Sequence, residues 1–140
     1  MSFRIVSRGG SFRQLAVPGT GGTCPEATLF CCRVSKGQYD KNGKTYAVLS
    51  LESAAGDVDL LNRIDRFITK HAKPAYTPLS GHSLTVKLPA DLKYADEDSD
   101  PCPPWPLEQD AYVDVVVRPG AFGDFGYCFL VQRIKPHKIM

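Results

Sequence analysis

The sequence has few of the residues and motifs from which catalytic centres are usually built. It contains only three histidines, and none stands beside a Gly-x-Ser-x-Gly elbow or a catalytic-cysteine signature. The glycine-rich stretch at residues 19–22 lacks the lysine and the following helix of a phosphate-binding loop. We therefore predict that the protein is not an enzyme and has no catalytic residues.

The pattern of metal-ligating residues is equally sparse. The five cysteines are an odd number, and their spacing lacks the short pairs typical of zinc sites. The acidic run at residues 96–100 lacks the glycine and the terminal glutamate of a calcium-binding EF-hand loop. We predict no metal and no cofactor, and we expect Cys31, Cys32 and Cys128 to pack as small apolar residues.

Long hydrophobic runs are also missing. The most apolar stretch is the short valine-rich run at residues 113–117, whereas a membrane helix needs about 20 apolar residues. Residues 1–6 show no apolar region of the kind found in a secretory signal. We expect a cytoplasmic or nuclear protein, of host or viral origin, that is neither secreted nor bound to a membrane.

Alternating apolar and polar residues predict several β-strands. Asn42 and Gly43 are typical of a tight hairpin turn between two of these strands. Phe30 and Phe129 are predicted to lie in the core. The predicted strands are Phe3–Arg8, Thr28–Val34, Thr45–Leu51, His82–Leu88 and the two arms of a hairpin at Ala111–Ile134.

One segment has a helical period instead. Apolar residues recur at intervals of three and four between Val58 and Ala72, which predicts an amphipathic helix. Asp57 is a candidate N-cap, and Pro74 follows the predicted end.

The order of elements is that of a small β-barrel. We predict one mostly β domain over residues 1–140: an OB-fold-like, five-stranded Greek-key barrel with the helix between strands 3 and 4 and a C-terminal hairpin. An acidic, proline-rich loop is predicted at about residues 90–109. A β-grasp fold, or a sandwich with an additional helix, remains an alternative.

Charge is distributed unevenly although the net charge is only +2. Residues 1–50 carry seven basic and two acidic side chains, whereas residues 91–114, here called the acidic segment, carry one basic and eight acidic side chains. Trp105 lies among prolines within the acidic segment. It either docks on its own domain or is presented to a partner.

Several aromatic and cationic residues are predicted to lie outside the core. Proteins that bind single strands combine cations, which follow the phosphates, with aromatic rings, on which bases stack. The alternative is ordinary packing, with Tyr46 and Tyr112 covering a sheet face and Phe122 or Phe125 closing a barrel end. The candidate nucleic-acid-binding residues are Arg33, Tyr39, Lys41, Lys44, Tyr46, Tyr112, Arg118, Phe122, Phe125 and Tyr127.

Two segments, Leu84–Pro89 and Tyr112–Pro136, resemble small phage and viral single-stranded DNA-binding proteins with an OB-fold. The shared pattern is a strand ending at Arg118-Pro119, a loop with an aromatic residue and a glycine, and a closing strand. The resemblance implies binding of single-stranded DNA, with RNA left open, in replication or recombination. The resemblance leaves open whether the protein forms a homo-oligomer.

This chain departs from that family in the position of its acidic residues. The family often has an acidic C-terminal tail, whereas the acidic segment here is internal. We expect the acidic segment either to mimic DNA and shield the binding groove or to recruit a replication partner. The alternative function is a protein-interaction or structural module that uses the Trp105 loop as its contact.

Overall fold

The computed structural model describes residues 26–123 and 126–138. It contains one helix among short and long strands. In chain order the elements are β1 (Ala27–Lys41), β2 (Lys44–Ser50), β3 (Ala55–Gly56), α1 (Val58–Ala72), β4 (Leu79–Ser80), β5 (Ser83–Lys87), β6 (Lys93–Tyr94), β7 (Tyr112–Gly123) and β8 (Gly126–Pro136). In the part of the chain that is described, no helix is both long and apolar enough to cross a membrane.

Five of the strands close a barrel. Strand β1 pairs with β2 on one side and with β7 on the other, while β2 pairs with β5 and β7 with β8. Parallel pairing of β5 with β8, through Val86 and Phe129, closes the ring. This mostly β barrel with one helix confirms the predicted OB-like fold class.

The helix lies between the strands predicted at Thr45–Leu51 and His82–Leu88, which are β2 and β5 in the structure. The intervening β3 and β4 are two-residue strands, paired with β1 and β5 respectively, so α1 follows the second of the five barrel strands. The predicted strand Phe3–Arg8 lies outside the described residues.

The β1–β2 hairpin forms as its turn residues predict. Asn42 and Gly43 have φ values of 54° and 75°, both in the left-handed region that a two-residue hairpin turn of this kind requires. Asparagine and glycine adopt this region more readily than other residues, so the turn chemistry sets the pairing of the two strands.

Helix α1 has the bounds that its periodicity predicts. Leu61, Ile64 and Ile68 are fully buried in the same core as the barrel strands, and each contributes roughly 1.5–3 kcal/mol by burial. Asp57 stands at the N-cap position, but its side chain does not cap the helix. The carboxylate instead accepts a hydrogen bond of 2.9 Å from the Thr28 amide and ties the helix start to β1.

A β-bulge changes the pattern of burial along β1. The pairing of β1 with β7 shifts between Leu29 and Cys32, and Cys31 adopts a positive φ of 60°. As a result Leu29 and Cys32 are both buried, while Phe30 is 42% exposed, so the prediction that Phe30 lies in the core is wrong.

The Cys32 thiol is buried beside this bulge. Burial is the main cause that raises its pKa to about 12, and the Asp114 carboxylate and Cys31 add smaller contributions.

The acidic segment is attached to the barrel along much of its length. Gln38 donates its amide to the Leu107 carbonyl and accepts the Leu107 amide on its side chain, both at 3.1 Å. The Trp105 indole donates to the Ala95 carbonyl at 3.2 Å and packs edge-on against Tyr94. Trp105 therefore docks on its own domain.

Candidate nucleic-acid interface

Two tyrosines and a lysine meet on the outer surface of the β1–β2 hairpin. Tyr39 and Tyr46 are cross-strand partners, and their rings stack with centroids 5.9 Å apart. The Lys36 ammonium lies 4.2 Å from the centroid of the Tyr39 ring, within the range of a cation–π interaction. Because Ala47 and Leu49 point into the core, Tyr46 points outward by alternation.

The surface continues from β2 onto β5. Lys87 is the cross-strand partner of Tyr46, and Val86 next to it is fully buried, so Lys87 lies on the outer face beside the tyrosine. Neither β2 nor β5 contains an acidic residue. We call Lys36, Tyr39, Lys44, Tyr46 and Lys87 the tyrosine–lysine face.

The tip of the hairpin adds positive charge. Lys41 and Lys44 are exposed and stand directly opposite each other across the turn. Like charges in this position are unfavourable unless an anion or solvent compensates them. The acidic residue at this tip, Asp40, accepts a hydrogen bond from Thr45 at 2.8 Å.

Three cations from different strands act electrostatically on Cys128 of β8. Burial raises the pKa of the Cys128 thiol, and the positive charges of Lys87, Lys44 and Arg118 oppose that rise. Arg118 is half-buried on β7, and its guanidinium donates to the Pro119 carbonyl at 3.3 Å. Lys87 of the tyrosine–lysine face and Arg118 are both paired with Leu130 of β8, one from each side.

A shallow cleft of about 230 Å³ borders the same face. It is lined by Tyr46, Thr85 and Cys128, and also by Tyr76 in the segment between α1 and β4. Tyr76 is 75% exposed, which makes its ring the most exposed large aromatic of the described residues. Burial and the neighbouring Cys128 raise the pKa of the Tyr46 hydroxyl, which keeps this phenol neutral at neutral pH.

Arg33 and Tyr112 lie on a different part of the barrel surface. They are cross-strand partners on β1 and β7. The Arg33 guanidinium forms an ion pair of 3.1 Å with Asp110 of the acidic segment. Tyr112 is 38% exposed. The structure therefore does not bring these two predicted residues together with Tyr39 and Tyr46.

Tyr127 offers little ring surface for stacking. Its ring is buried, packs edge-on against Phe129 in the core, and its hydroxyl donates to Asp65 of α1. Tyr127 also lines the cleft that Tyr46 borders, so the prediction that it contacts a ligand stays a prediction. Phe122 lies in β7, where the structure describes only its backbone. Phe125 lies outside the described residues.

Ion pairs distinguish the cations beside the acidic segment from those around the tyrosine–lysine face. Arg33, Lys135 and Lys138 pair with Asp110, Asp114 and Asp98 of the acidic segment, at distances of 3.1, 4.0 and 3.4 Å. Within residues 26–123 and 126–138, no carboxylate forms an ion pair with Lys36, Lys41, Lys44, Lys87 or Arg118. The acidic segment therefore neutralises several cations of the barrel, but within the described residues it forms no ion pair with those of the tyrosine–lysine face.

Sequence reasoning missed Lys36, Tyr76 and Lys87. Lys87 was signalled by the alternation of β5, in which Leu84 and Val86 point inward. Lys36 is harder to place because the pairing of β1 with β2 is irregular on both sides of it. Tyr76 lies in a short connection without any periodicity.

Comparison with known proteins gives no match to a family model, a curated protein or a solved structure. The likeness to phage and viral single-stranded DNA-binding proteins therefore stays a prediction.

The described residues also contain no group of three or more histidines, cysteines or acidic residues placed to hold a metal ion.

Proposed function

We propose that the protein binds single-stranded DNA, without strong sequence preference, on the tyrosine–lysine face. The observation that carries this proposal is the stacked pair of Tyr39 and Tyr46 beside Lys36, Lys44 and Lys87, which form no ion pair with any carboxylate of the described residues. A polynucleotide supplies both complements: its bases stack on aromatic rings and its phosphates neutralise cations.

The position of the face on the barrel supports the same function. Strands β2 and β5 are the second and third strands of the barrel, and OB-folds bind oligonucleotides on the corresponding strands and the adjoining loops. The opposed Lys41 and Lys44 at the β1–β2 turn add a second argument, because a bound phosphate relieves their mutual repulsion. A role in coating exposed strands during replication or recombination follows from this proposal.

The alternative, a protein-interaction module that uses the Trp105 loop, has less support. The Trp105 indole is half-buried, hydrogen-bonded to Ala95 and packed on Tyr94. A ring held in this way offers a partner much less surface than an exposed one. No other observation favours this alternative.

The test is a titration of the full chain with a fluorescent oligo-dT, followed by anisotropy at several salt concentrations. We expect binding at low salt that weakens steeply as salt increases, because phosphate contacts release counterions. Duplex DNA of the same length is the control and should bind more weakly. Absence of binding at low salt, salt-independent binding, or equal binding of duplex DNA would each refute the proposal.

A further inference from the structure

A second basic cleft lies beyond the tyrosine–lysine face, between the start of the acidic segment and the β7–β8 pair. It has a volume of about 300 Å³, and its lining includes Lys93, Arg118 and Arg133 together with one carboxylate, Asp91. Lys93 and Arg133 are neighbours in the parallel pairing of β6 with β8. Three cations from three strands therefore share one concave surface.

The second cleft is continuous with the tyrosine–lysine face. Lys87 is paired with Leu130 of β8, and Leu130 is paired with Arg118 of β7. Leu130 and Arg118 both line the cleft. From Tyr46 to Arg118 the path crosses three interstrand spacings of about 4.8 Å each, a distance that a few nucleotides can span.

Within residues 26–123 and 126–138, the three cations of this cleft form no ion pair. Arg118 donates to the Pro119 carbonyl. When the Gln132 amide is oriented to satisfy its hydrogen bonds, its nitrogen donates to the Glu26 carboxylate at 2.7 Å and its oxygen accepts from the Arg118 guanidinium. In the described part of the chain, Lys93 and Arg133 form no ion pair, although Lys93 belongs to the acidic segment. This contrasts with Lys135 and Lys138 nearby in sequence, which are both paired with aspartates.

We infer that this cleft binds backbone phosphates of the same single strand, on the side of the tyrosine–lysine face away from the β1–β2 hairpin. The inference rests on the proposed function and extends it. It adds Lys93 and Arg133 to the binding surface and defines the path of the bound strand across the barrel. A strand that begins on Tyr39 and Tyr46 crosses Lys87 and then reaches Arg118. Short strands occupy only the tyrosines, and longer strands also reach the cleft.

The experiment compares a double variant, Lys93→Gln with Arg133→Gln, with a control double variant, Lys135→Gln with Lys138→Gln. Both remove two positive charges, and thermal melting checks that both remain folded. Each is titrated with a dT dinucleotide, which covers the two stacked tyrosines and is too short to reach the cleft, and with oligo-dT of about 16 nucleotides, the upper end of the site sizes known for one OB-fold. The salt dependence of binding is measured for the longer strand.

We expect the cleft variant to bind the longer strand more weakly, with a salt slope reduced by roughly 1.4, and to bind the short strand as the wild type does. The control variant should keep the wild-type slope. Equal behaviour of the two variants, or equal losses for both strand lengths, would overturn the inference while leaving the proposed function intact. Failure of the wild type to bind either strand would overturn both.

Discussion

Tyr46 is the residue at which the proposed function can be tested most directly. Its ring stacks on Tyr39 and borders the cleft that contains Tyr76. Replacement by alanine removes one stacking surface worth roughly 1–3 kcal/mol, so we expect Tyr46→Ala to weaken oligo-dT binding roughly 5- to 150-fold in an anisotropy titration.

Tyr112→Ala is the matched control for this change. Tyr112 also lies on the outer surface of a barrel strand, where it is 38% exposed, but it is the partner of Arg33, which is paired with Asp110 of the acidic segment. We expect the Tyr112→Ala variant to bind oligo-dT with the same affinity as the wild type. Equal weakening by the two substitutions would mean that the tyrosine–lysine face is not the binding surface.

Asp65 gives a prediction about stability and pH. Burial raises the pKa of its carboxyl, and the hydrogen bond from Tyr127 and the charge of Arg66 only partly oppose the rise. Because the carboxyl holds its proton more tightly in the folded state, the free energy of unfolding falls as pH rises from the ordinary carboxyl pKa through the raised value. Asp65→Asn keeps a hydrogen-bond acceptor without the charge, so it should flatten this part of the profile.

Urea unfolding at a series of pH values between about 3 and 7 measures the effect of Asp65→Asn. Glu52→Gln is the control, because it removes an exposed carboxylate from the turn after β2 and should leave the fall in stability in place. If the free energy of unfolding of Asp65→Asn still falls with pH as much as that of the wild type, another group causes the fall.

At the scale of elements, the connection from β3 to α1 depends on Gly56. Its φ is +92°, and a Cβ atom there would lie 2.4 Å from the Thr28 carbonyl oxygen. That oxygen cannot move away easily, because it accepts a hydrogen bond of 2.8 Å from the Asp57 amide at the start of the helix. We therefore expect Gly56→Ala to destabilise the fold through both strained backbone and steric overlap.

Gly43→Ala separates these two effects. Gly43 has a φ of +75°, but a Cβ atom there would meet nothing within 4 Å. We expect it to lose about 1–2 kcal/mol from the left-handed backbone alone, and Gly56→Ala to lose clearly more in the same urea unfolding experiment. Equal losses would mean that the Thr28 contact relaxes freely.

The elements that were predictable are those specified by neighbouring residues. The helix follows from its own apolar period, and the β1–β2 hairpin follows from Asn42 and Gly43. The exposure of Phe30 was not predictable, because it results from a bulge at Cys31 whose partner strand is more than 80 residues away in the chain. Closure of the barrel likewise depends on the distant pairing of Val86 with Phe129.

The same distinction applies to the candidate site. Tyr39, Lys44 and Tyr46 could be placed together because they share one hairpin. Tyr127 lies two residues before Phe129 on the inward face of β8, so alternation argued for its burial, but its hydrogen-bond partner Asp65 is 62 residues away. The ion pair of Arg33 with Asp110 also joins distant parts of the chain, and only the fold shows it.

At the scale of the whole molecule, the modest net charge of +2 is consistent with binding to a polyanion. The acidic segment lies against β1 and the end of β8, where it pairs with Arg33, Lys135 and Lys138. Lys44 and Lys87 of the tyrosine–lysine face lie on β2 and β5, which contain no acidic residue. Lys36 lies on β1 beside the acidic segment, but it forms no ion pair within the described residues. Counterion release depends on the cations that contact phosphates and not on the net charge of the chain.

This separation predicts that equal changes in charge have unequal effects on salt dependence. Lys87→Gln removes a cation beside Tyr46, so the slope of log affinity against log salt should decrease by roughly 0.7. Arg33→Gln also removes one positive charge, but from a side chain already paired with Asp110, and its slope should stay at the wild-type value. Oligo-dT titrations at four or more salt concentrations measure both slopes. If Arg33→Gln lowers the slope as much as Lys87→Gln does, the strand contacts both sides of the barrel, and the acidic segment does not divide its surface.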